Sequence, residues 1–435
     1  MKILYLVHQF YPEYQSGTEK VILNQAIMAQ RNGLKVKVIS YSFYPDAYYD
    51  NENNGILYKE HLYKGIPVLA FKYKLPPINL HISLESEALH QFARKIIDVE
   101  APDIIHVGHP MRVHEFIQVA REKNIPYLVT LTDFFFMCPK VILAPDRRSL
   151  CSGPQKGAAC RDLCGEFSQE FIQKRLGIGR SILQNAKAIV SPSKFLANLF
   201  TQEFDGLKIQ IIYHGIQHKY IKPNDKVYSG KKSLVFGYAG SLAYHKGVHV
   251  LLKAFEGIKD ENLKLVLYGS GEESYVKQLK DIAGKDRRVS FAGIFSEEQV
   301  GDVYSKIDVI VTPSTCYENY PLVLHEALAS NVPVIASNLG GMAEKIKDGF
   351  NGYTFIPGVS NDLRRKMELI IHDTSILDEL KSNIRNKMVI PVTEQESYQY
   401  YRIYKSIYRQ HYDHETNQDD SPMKAPLVRS LQTNR

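Results

Sequence analysis

At 435 residues the chain is too long for one ordinary hydrophobic core, so two domains are the starting expectation. The hydrophobic fraction of 44% is that of a globular protein, and no apolar run is long enough to cross a bilayer. The net charge of +7 is modest for this length, and nothing resembles a helix-turn-helix, zinc finger or RNA-binding signature, which argues against nucleic acid as a partner.

The opening Met1-Lys-Ile-Leu-Tyr-Leu-Val-His8 has only a brief apolar run and no small-residue cleavage site, so it reads as a first buried strand rather than a leader. A cytoplasmic protein is expected, with peripheral contact at the inner membrane face left open. Strand patterns at Lys2–Val7, Lys35–Ser40, Asp103–Val107, Tyr127–Leu131, Ala188–Val190 and Ile209–Tyr213 alternate with helical ones. The first helix, Thr18–Gln30, carries Val21, Ile22, Gln25, Ala26 and Ala29 at helical spacing, and Gly33 suits its end. Ser16 or Thr18 could cap it. Between the second and third strands, 55–73 alternates like a hairpin or extra strands. Strands interleaved with helices imply a parallel sheet covered on both faces, an α/β fold.

Residues 217–232 break every period and read as a linker between a first domain, 1–216, and a second, 233–392. Beyond them, 393–412 is helical with interleaved tyrosines and basic residues. The polar tail 413–435 has the composition of a disordered segment.

Chemistry concentrates in Glu318-Asn-Tyr-Pro-Leu-Val-Leu-His-Glu326. Pro321 suits a helix start, and Leu322–Ala329 is composed of good helix formers. Glu318 thus falls in the loop before a helix N-terminus whose bare N–H groups attract phosphate, and Glu326 falls on its second turn. Strand patterns at Val309–Pro313 and Val332–Ser337 put both acids at the carboxyl end of a parallel sheet, where open α/β folds bind ligands. Upstream, Lys246 follows a strand and a Gly-containing loop and opens the helix Gly247–Gly257. A cation there opposes the helix dipole, a mild local misfit that favours a functional role.

This segment resembles the signature of retaining glycosyltransferases of family 4, which have the two-domain GT-B architecture. Tyr238-Ala-Gly240-Ser241, His245-Lys246-Gly247, Tyr268-Gly269-Ser-Gly271, Val289-Ser-Phe-Ala-Gly293, Asn338-Leu-Gly340-Gly341 and Asp348-Gly-Phe-Asn-Gly352 match in order. The resemblance implies two Rossmann-like domains facing across a cleft, with acceptor mainly on the first and donor nucleotide on the second. The helix 393–412 would cross back to the first domain. It implies transfer of a hexose from a UDP- or GDP-sugar to a saccharide or lipid-linked saccharide, in cell-surface polysaccharide or glycan synthesis, with no cofactor needed for catalysis. Two alternatives stay open: an isomerase of the sugar-nucleotide 2-epimerase type, and a nucleotide-sugar-binding subunit with a degraded site.

Carried over by position, Lys246 would stabilise the departing diphosphate, and Glu318 the oxocarbenium-like sugar. Glu326 would take the ribose hydroxyls, and the N–H groups of Leu322 and Val323 would face phosphate. Asn319 and Tyr320, with Gly17, Gly240, Ser241, Gly247, Gly269 and Gly271, would complete the donor site, and Gly340-Gly341 would line it. Asp133 would orient the acceptor. Two departures stand out: Ser241 replaces the family's usual Arg, and Thr132 a frequent His.

Four of the five cysteines, Cys138, Cys151, Cys160 and Cys164, crowd an insertion at 134–167 rich in Pro, Gly and charge. A cytosolic segment with so little core suggests a structural zinc held by these thiolates. Cys316, near Glu318, is expected only to pack.

Overall fold

A computed structural model describes residues 1–83, 85–147, 149–230 and 233–412. The tail expectation, and the last two positions of the expected linker, lie outside these residues.

The strands are β1 (Lys2–Val7), β2 (Lys35–Tyr41), β3 (Asn51–Asn53), β4 (Ile56–Tyr63), β5 (Ile66–Tyr73), β6 (Ile104–Val107), β7 (Tyr127–Thr130), β8 (Ala188–Ser191) and β9 (Ile209–Ile211). They form one sheet in the order β3-β4-β5-β2-β1-β6-β7-β8-β9. A second sheet has the order β12-β11-β10-β13-β14-β15, built from β10 (Leu234–Ala239), β11 (Leu263–Tyr268), β12 (Val289–Gly293), β13 (Val309–Thr312), β14 (Val334–Ser337) and β15 (Gly352–Phe355). All its pairings are parallel. The architecture is the expected α/β one.

The chain divides into two compact units. The first comprises Met1–Thr130, Asn185–Ile189 and the chain from Pro391; the second comprises Leu131–Gln184 and Val190–Ile390. The cysteine-rich insertion therefore belongs with the second unit. So do Asn224 and Tyr228 of the expected linker, which are buried there. The Asn224 side chain donates to Ile307 O, and Tyr228 Oη donates to Asp308.

In the first unit, β1 is a continuous apolar run because β2 and β6 flank it in parallel and both faces are covered. Its helix, Gly17–Arg31, is capped by Ser16, whose N–H donates to Glu19 Oε2 at 2.7 Å. The expected hairpin is the antiparallel pair β4–β5, closed by Lys64 and Gly65 at φ +48° and +80°, the geometry of a two-residue primed turn.

The helix Thr393–Tyr412 packs on the helix Gly17–Arg31 and on β6. Tyr400 and Tyr404 bury their rings and share hydroxyl hydrogen bonds. Tyr404 Oη is 2.7 Å from His106 Nδ1 and 3.1 Å from Tyr5 Oη. Thr130 Oγ1 bridges His106 Nε2 (2.7 Å) and Tyr400 Oη (2.9 Å). These bonds satisfy polar groups that burial would otherwise penalise.

In the second unit, apolar residues of β10, β11 and β13, among them Phe236, Leu265, Leu267 and Val309, pack with Leu251, Phe255 and Leu363 of the covering helices. Leu324, Ala327 and Leu328 of the helix Leu322–Ala329 pack on the other face with Ile310 and Val334. That helix has the bounds expected from Pro321, which supplies the cap position at φ −68°.

Candidate functional site

The second sheet reverses its winding between β10 and β13. From β10 the chain goes to β11 and β12 on one side, while β13, β14 and β15 lie on the other. Ligands of open α/β sheets bind outside the carboxyl ends of strands at such a point. Lys246 comes from the loop after β10, and Glu318 from the loop after β13.

Lys246 sits in a short turn, Tyr244–Lys246, before Gly247. Gly247 has φ +69° and is the cap of the helix Val248–Glu256. A Cβ at Gly247 would lie 1.9 Å from Pro313 O, so only glycine lets this loop close on the end of β13. The result is an ion pair: Lys246 Nζ is 2.6 Å from Glu318 Oε1, with side chains 27% and 15% exposed. Ser314 Oγ donates to the same oxygen at 2.7 Å. Burial works to discharge Lys246, but the charge and hydrogen bond of Glu318 outweigh it and its pKa is raised. Burial likewise opposes ionisation of Glu318, yet Lys246, Ser314 and His245 together hold its pKa below the ordinary value. Both groups are therefore charged at neutral pH.

Glu326 is buried on the helix Leu322–Ala329, where Tyr304 Oη donates to its Oε2 at 3.3 Å. Leu322 and Val323 are the first two residues of that helix. Asn319 Nδ2 donates to Thr132 O at 2.9 Å, and its Oδ1 is buried with no hydrogen-bond partner. Tyr320 Oη donates to His214 O at 3.1 Å while its ring stacks on His325 at 3.7 Å. Gly341 N–H donates to Glu318 O at 2.7 Å. A Cβ at Gly340 would lie 2.7 Å from that oxygen, and one at Gly341 2.2 Å from Asn319 O. The glycine pair is thus packed directly against the Glu318–Asn319 backbone.

The other glycines serve similar close approaches. A Cβ at Gly269 would lie 1.8 Å from Gly240 O, and one at Gly271 1.9 Å from Leu242 O. Leu242 and Gly271 extend the parallel pairing of β10 and β11 by one bridge. Ser241 is exposed, and its carbonyl accepts from Tyr238 Oη at 2.7 Å. Asp133 Oδ1 accepts from Phe135 N–H at 2.8 Å. Gly17 opens the helix Gly17–Arg31 and belongs to the first unit. Ser314 and Tyr304 were missed from sequence. Ser314 could have been found from its place directly after the β13 pattern, whereas nothing local marks Tyr304.

The zinc expectation finds no support in the structure. Among the described residues, no three or more His, Cys, Asp or Glu side chains are grouped to hold a metal ion. Cys138, Cys151, Cys160 and Cys164 are free, buried thiols. Burial raises the pKa of Cys138 and Cys164, and burial together with the other three cysteines pushes Cys160 up to about 12. Leu143 and Ala159 of the same segment are buried as well. Cys316 is buried as expected. No described helix is long and apolar enough to cross a membrane.

The family model for glycosyl transferases group 1 matches residues 222–387, and that for glycosyltransferase family 4 matches residues 15–220. The chain is 30% identical over 196 residues to the lipopolysaccharide 1,2-N-acetylglucosaminetransferase of Salmonella typhimurium, covering 41% of this chain and 51% of that protein. It is 28% identical over 184 residues to the capsular polysaccharide biosynthesis glycosyltransferase CapM of Staphylococcus aureus, covering 42% and 46%. The chain thus spans about half the length of these curated relatives. Among solved structures, a sucrose-phosphate synthase from Thermosynechococcus elongatus superposes with a TM-score of 0.72 at 18% identity, covering 94% of this chain and 99% of that one. The Anabaena protein Alr3699/HepE, in complex with UDP and glucose, gives 0.66 at 20% identity, covering 93% and 100%. With two matched models spanning most of its length and the fold shared, the chain belongs to the family 4, group 1 glycosyltransferases of GT-B fold.

Proposed function

We propose that the chain is a retaining hexosyltransferase. In this reading it moves a sugar from a UDP- or GDP-sugar to a saccharide or lipid-linked saccharide in surface-polysaccharide synthesis. The observation that carries the reading is the Lys246–Glu318 pair at the switch point of the second sheet. Relatives named for lipopolysaccharide and capsule synthesis support the class of product. The neighbour bound to UDP and glucose supports the class of donor.

In this mechanism the bond between the anomeric carbon and the diphosphate oxygen breaks as an acceptor oxygen attacks from the same face. The acceptor proton passes to the departing phosphate oxygen, so no protein nucleophile is needed. Lys246 and the N–H groups of Leu322 and Val323 stabilise charge growing on the diphosphate. Glu318 stabilises positive character at the anomeric carbon, Glu326 accepts from the ribose, and Asp133 orients the acceptor. Asn319, Tyr320, Ser241 and Gly17, Gly240, Gly247, Gly269 and Gly271 shape the donor site. With a lipid-linked acceptor, the +7 charge would favour work at an anionic membrane surface.

The test is a thermal-shift screen of UDP- and GDP-sugars, because a true donor stabilises the folded form. NMR assignment of the product anomer follows. An inverted anomer would overturn retention, and no stabilisation by any sugar nucleotide would overturn the donor assignment.

A further inference from the structure

Lys246 and Glu318 cancel each other's charge, because their side chains meet at 2.6 Å. The rest of the loop after β10 adds none. His245 is half-buried beside Lys246; burial and that ammonium both lower its pKa, so it is neutral at neutral pH. Ser241 offers only a hydroxyl. The loop therefore presents no net positive charge to a diphosphate, although phosphate recognition draws on cations as well as on helix-end N–H groups.

A cation does reach this loop, from the cysteine-rich insertion of the same compact unit. Arg147 is exposed, and its guanidinium carbon stands over the ring of Tyr244, 5.3 Å from the centroid. Tyr244 opens the turn that ends in Lys246. The Tyr244 ring also stacks on His249 at 4.5 Å, and His249 Nδ1 is 2.8 Å from Tyr275 Oη. The platform under Arg147 is thus held on its own side. Stacking on a ring uses none of the guanidinium N–H donors, so the planar fork stays open to paired phosphate oxygens. Among the described residues Arg147 makes no ion pair. The neighbouring Asp146 carboxylate accepts from Ser149 N–H at 2.9 Å and from Ser149 Oγ at 2.6 Å, closing a local turn.

The insertion touches the other loop of the site as well. Leu150, like Tyr317 and Val323, packs against the apolar cluster that contains Leu324. The Cys151 thiol acts electrostatically on the hydroxyl of Tyr317, the residue before Glu318. Arg147 and Cys151 are four positions apart, a reach of at most about 14 Å. The segment is anchored at its base, where Cys151 N–H donates to the carbonyl of the buried Leu143 at 2.7 Å. It therefore bridges the two loops whose side chains pair at Lys246 and Glu318.

We propose that Arg147 binds the diphosphate of the donor, supplying the net positive charge that the Lys246–Glu318 pair lacks. That the diphosphate belongs to a sugar nucleotide rests on the transferase reading above; the anion-binding guanidinium does not.

The test is titration calorimetry of the full chain with UDP, GDP and inorganic pyrophosphate. At least one of them should bind the wild type, and Arg147→Gln should weaken that ligand by about tenfold or more. Arg147→Lys keeps the charge without the fork and should lose less. The advantage of the wild type over Arg147→Gln should shrink as salt rises, which a packing role would not produce. Equal affinity in the wild type and Arg147→Gln, or a salt-independent loss of the same size in both variants, would overturn the proposal. Pyrophosphate binding alone, weakened in Arg147→Gln, would keep the cation site and sink the sugar-nucleotide donor. UDP or GDP binding undiminished in that variant would do the reverse, and no binding of any of the three would overturn both.

Discussion

Lys246 and Glu318 meet at 2.6 Å from loops that follow β10 and β13, the two strands on either side of the point where the second sheet changes direction. The pair is mutually neutralising, so each member holds the other in its charged form. Removing one leaves a charge with poor solvation, at a cost of about 1–3 kcal/mol. Lys246→Met and Glu318→Gln should each lower the urea midpoint, and the double variant should recover most of that loss. Turnover should separate from stability. Lys246→Met should lose about 2–4 kcal/mol of transition-state stabilisation, and the double variant should not regain it. Recovery of both together would make the pair purely structural.

The same pair sets a pH window. Glu318 ionises below its ordinary value and Lys246 above its own, so folding favours the charged pair across the whole interval between. Its contribution is lost as pH falls through the depressed Glu318 value, and again as pH rises through the raised Lys246 value. The stability difference between wild type and the double variant should therefore stay constant through neutral pH and shrink only at the extremes.

Histidine acts in the opposite sense. Burial holds His106 and His325 down to about 3, whereas an unfolded imidazole takes up a proton near 6.5. Stability should fall as pH drops from the unfolded value toward the folded one. Urea midpoints at neutral and mildly acid pH should show this slope, and His106→Gln should flatten it. An unchanged slope would mean that other groups dominate.

The hydroxyl network under the last helix predicts its own variant. Tyr404→Phe removes the partner of His106 Nδ1 and of Tyr5 Oη where all three side chains are buried. A loss of about 1–3 kcal/mol is expected in denaturant unfolding, with nucleotide binding untouched.

Since no metal-holding group is found among the described residues, prolonged dialysis against a strong chelator should leave the melting temperature unchanged. Native protein should also react slowly with thiol reagents at Cys138, Cys151, Cys160 and Cys164, all of them buried. Stoichiometric metal released by the chelator, with a drop in melting temperature, would restore the zinc expectation.

Much of the second unit could be read in advance because its signals are local. Pro321 and the helix formers behind it give the bounds of Leu322–Ala329, and glycines after strands mark where loops turn. The acids at 318 and 326 follow from their place beside that helix. The partners do not. Ser314 and Tyr304 meet these acids through tertiary packing, which no spacing rule encodes. The grouping of Leu131–Gln184 with the second unit depends on long-range contacts such as Asn319 to Thr132 O. Arg147 gave no sign at all, since its place over the Tyr244 ring exists only in the folded chain. The zinc expectation rested on spacing alone: cysteine spacing records separation along the chain, and neutral thiols serve equally well as apolar filler.

The contact of Gly340 and Gly341 with the backbone of Glu318 and Asn319 reaches beyond those four residues. A single methyl group at either position would displace the peptide that carries the Glu318 carboxylate, and with it the oxygen that Lys246 and Ser314 both grip. The tolerance of the Lys246–Glu318 site to mutation is thus decided partly by two positions that own no side chain, where even alanine is too large.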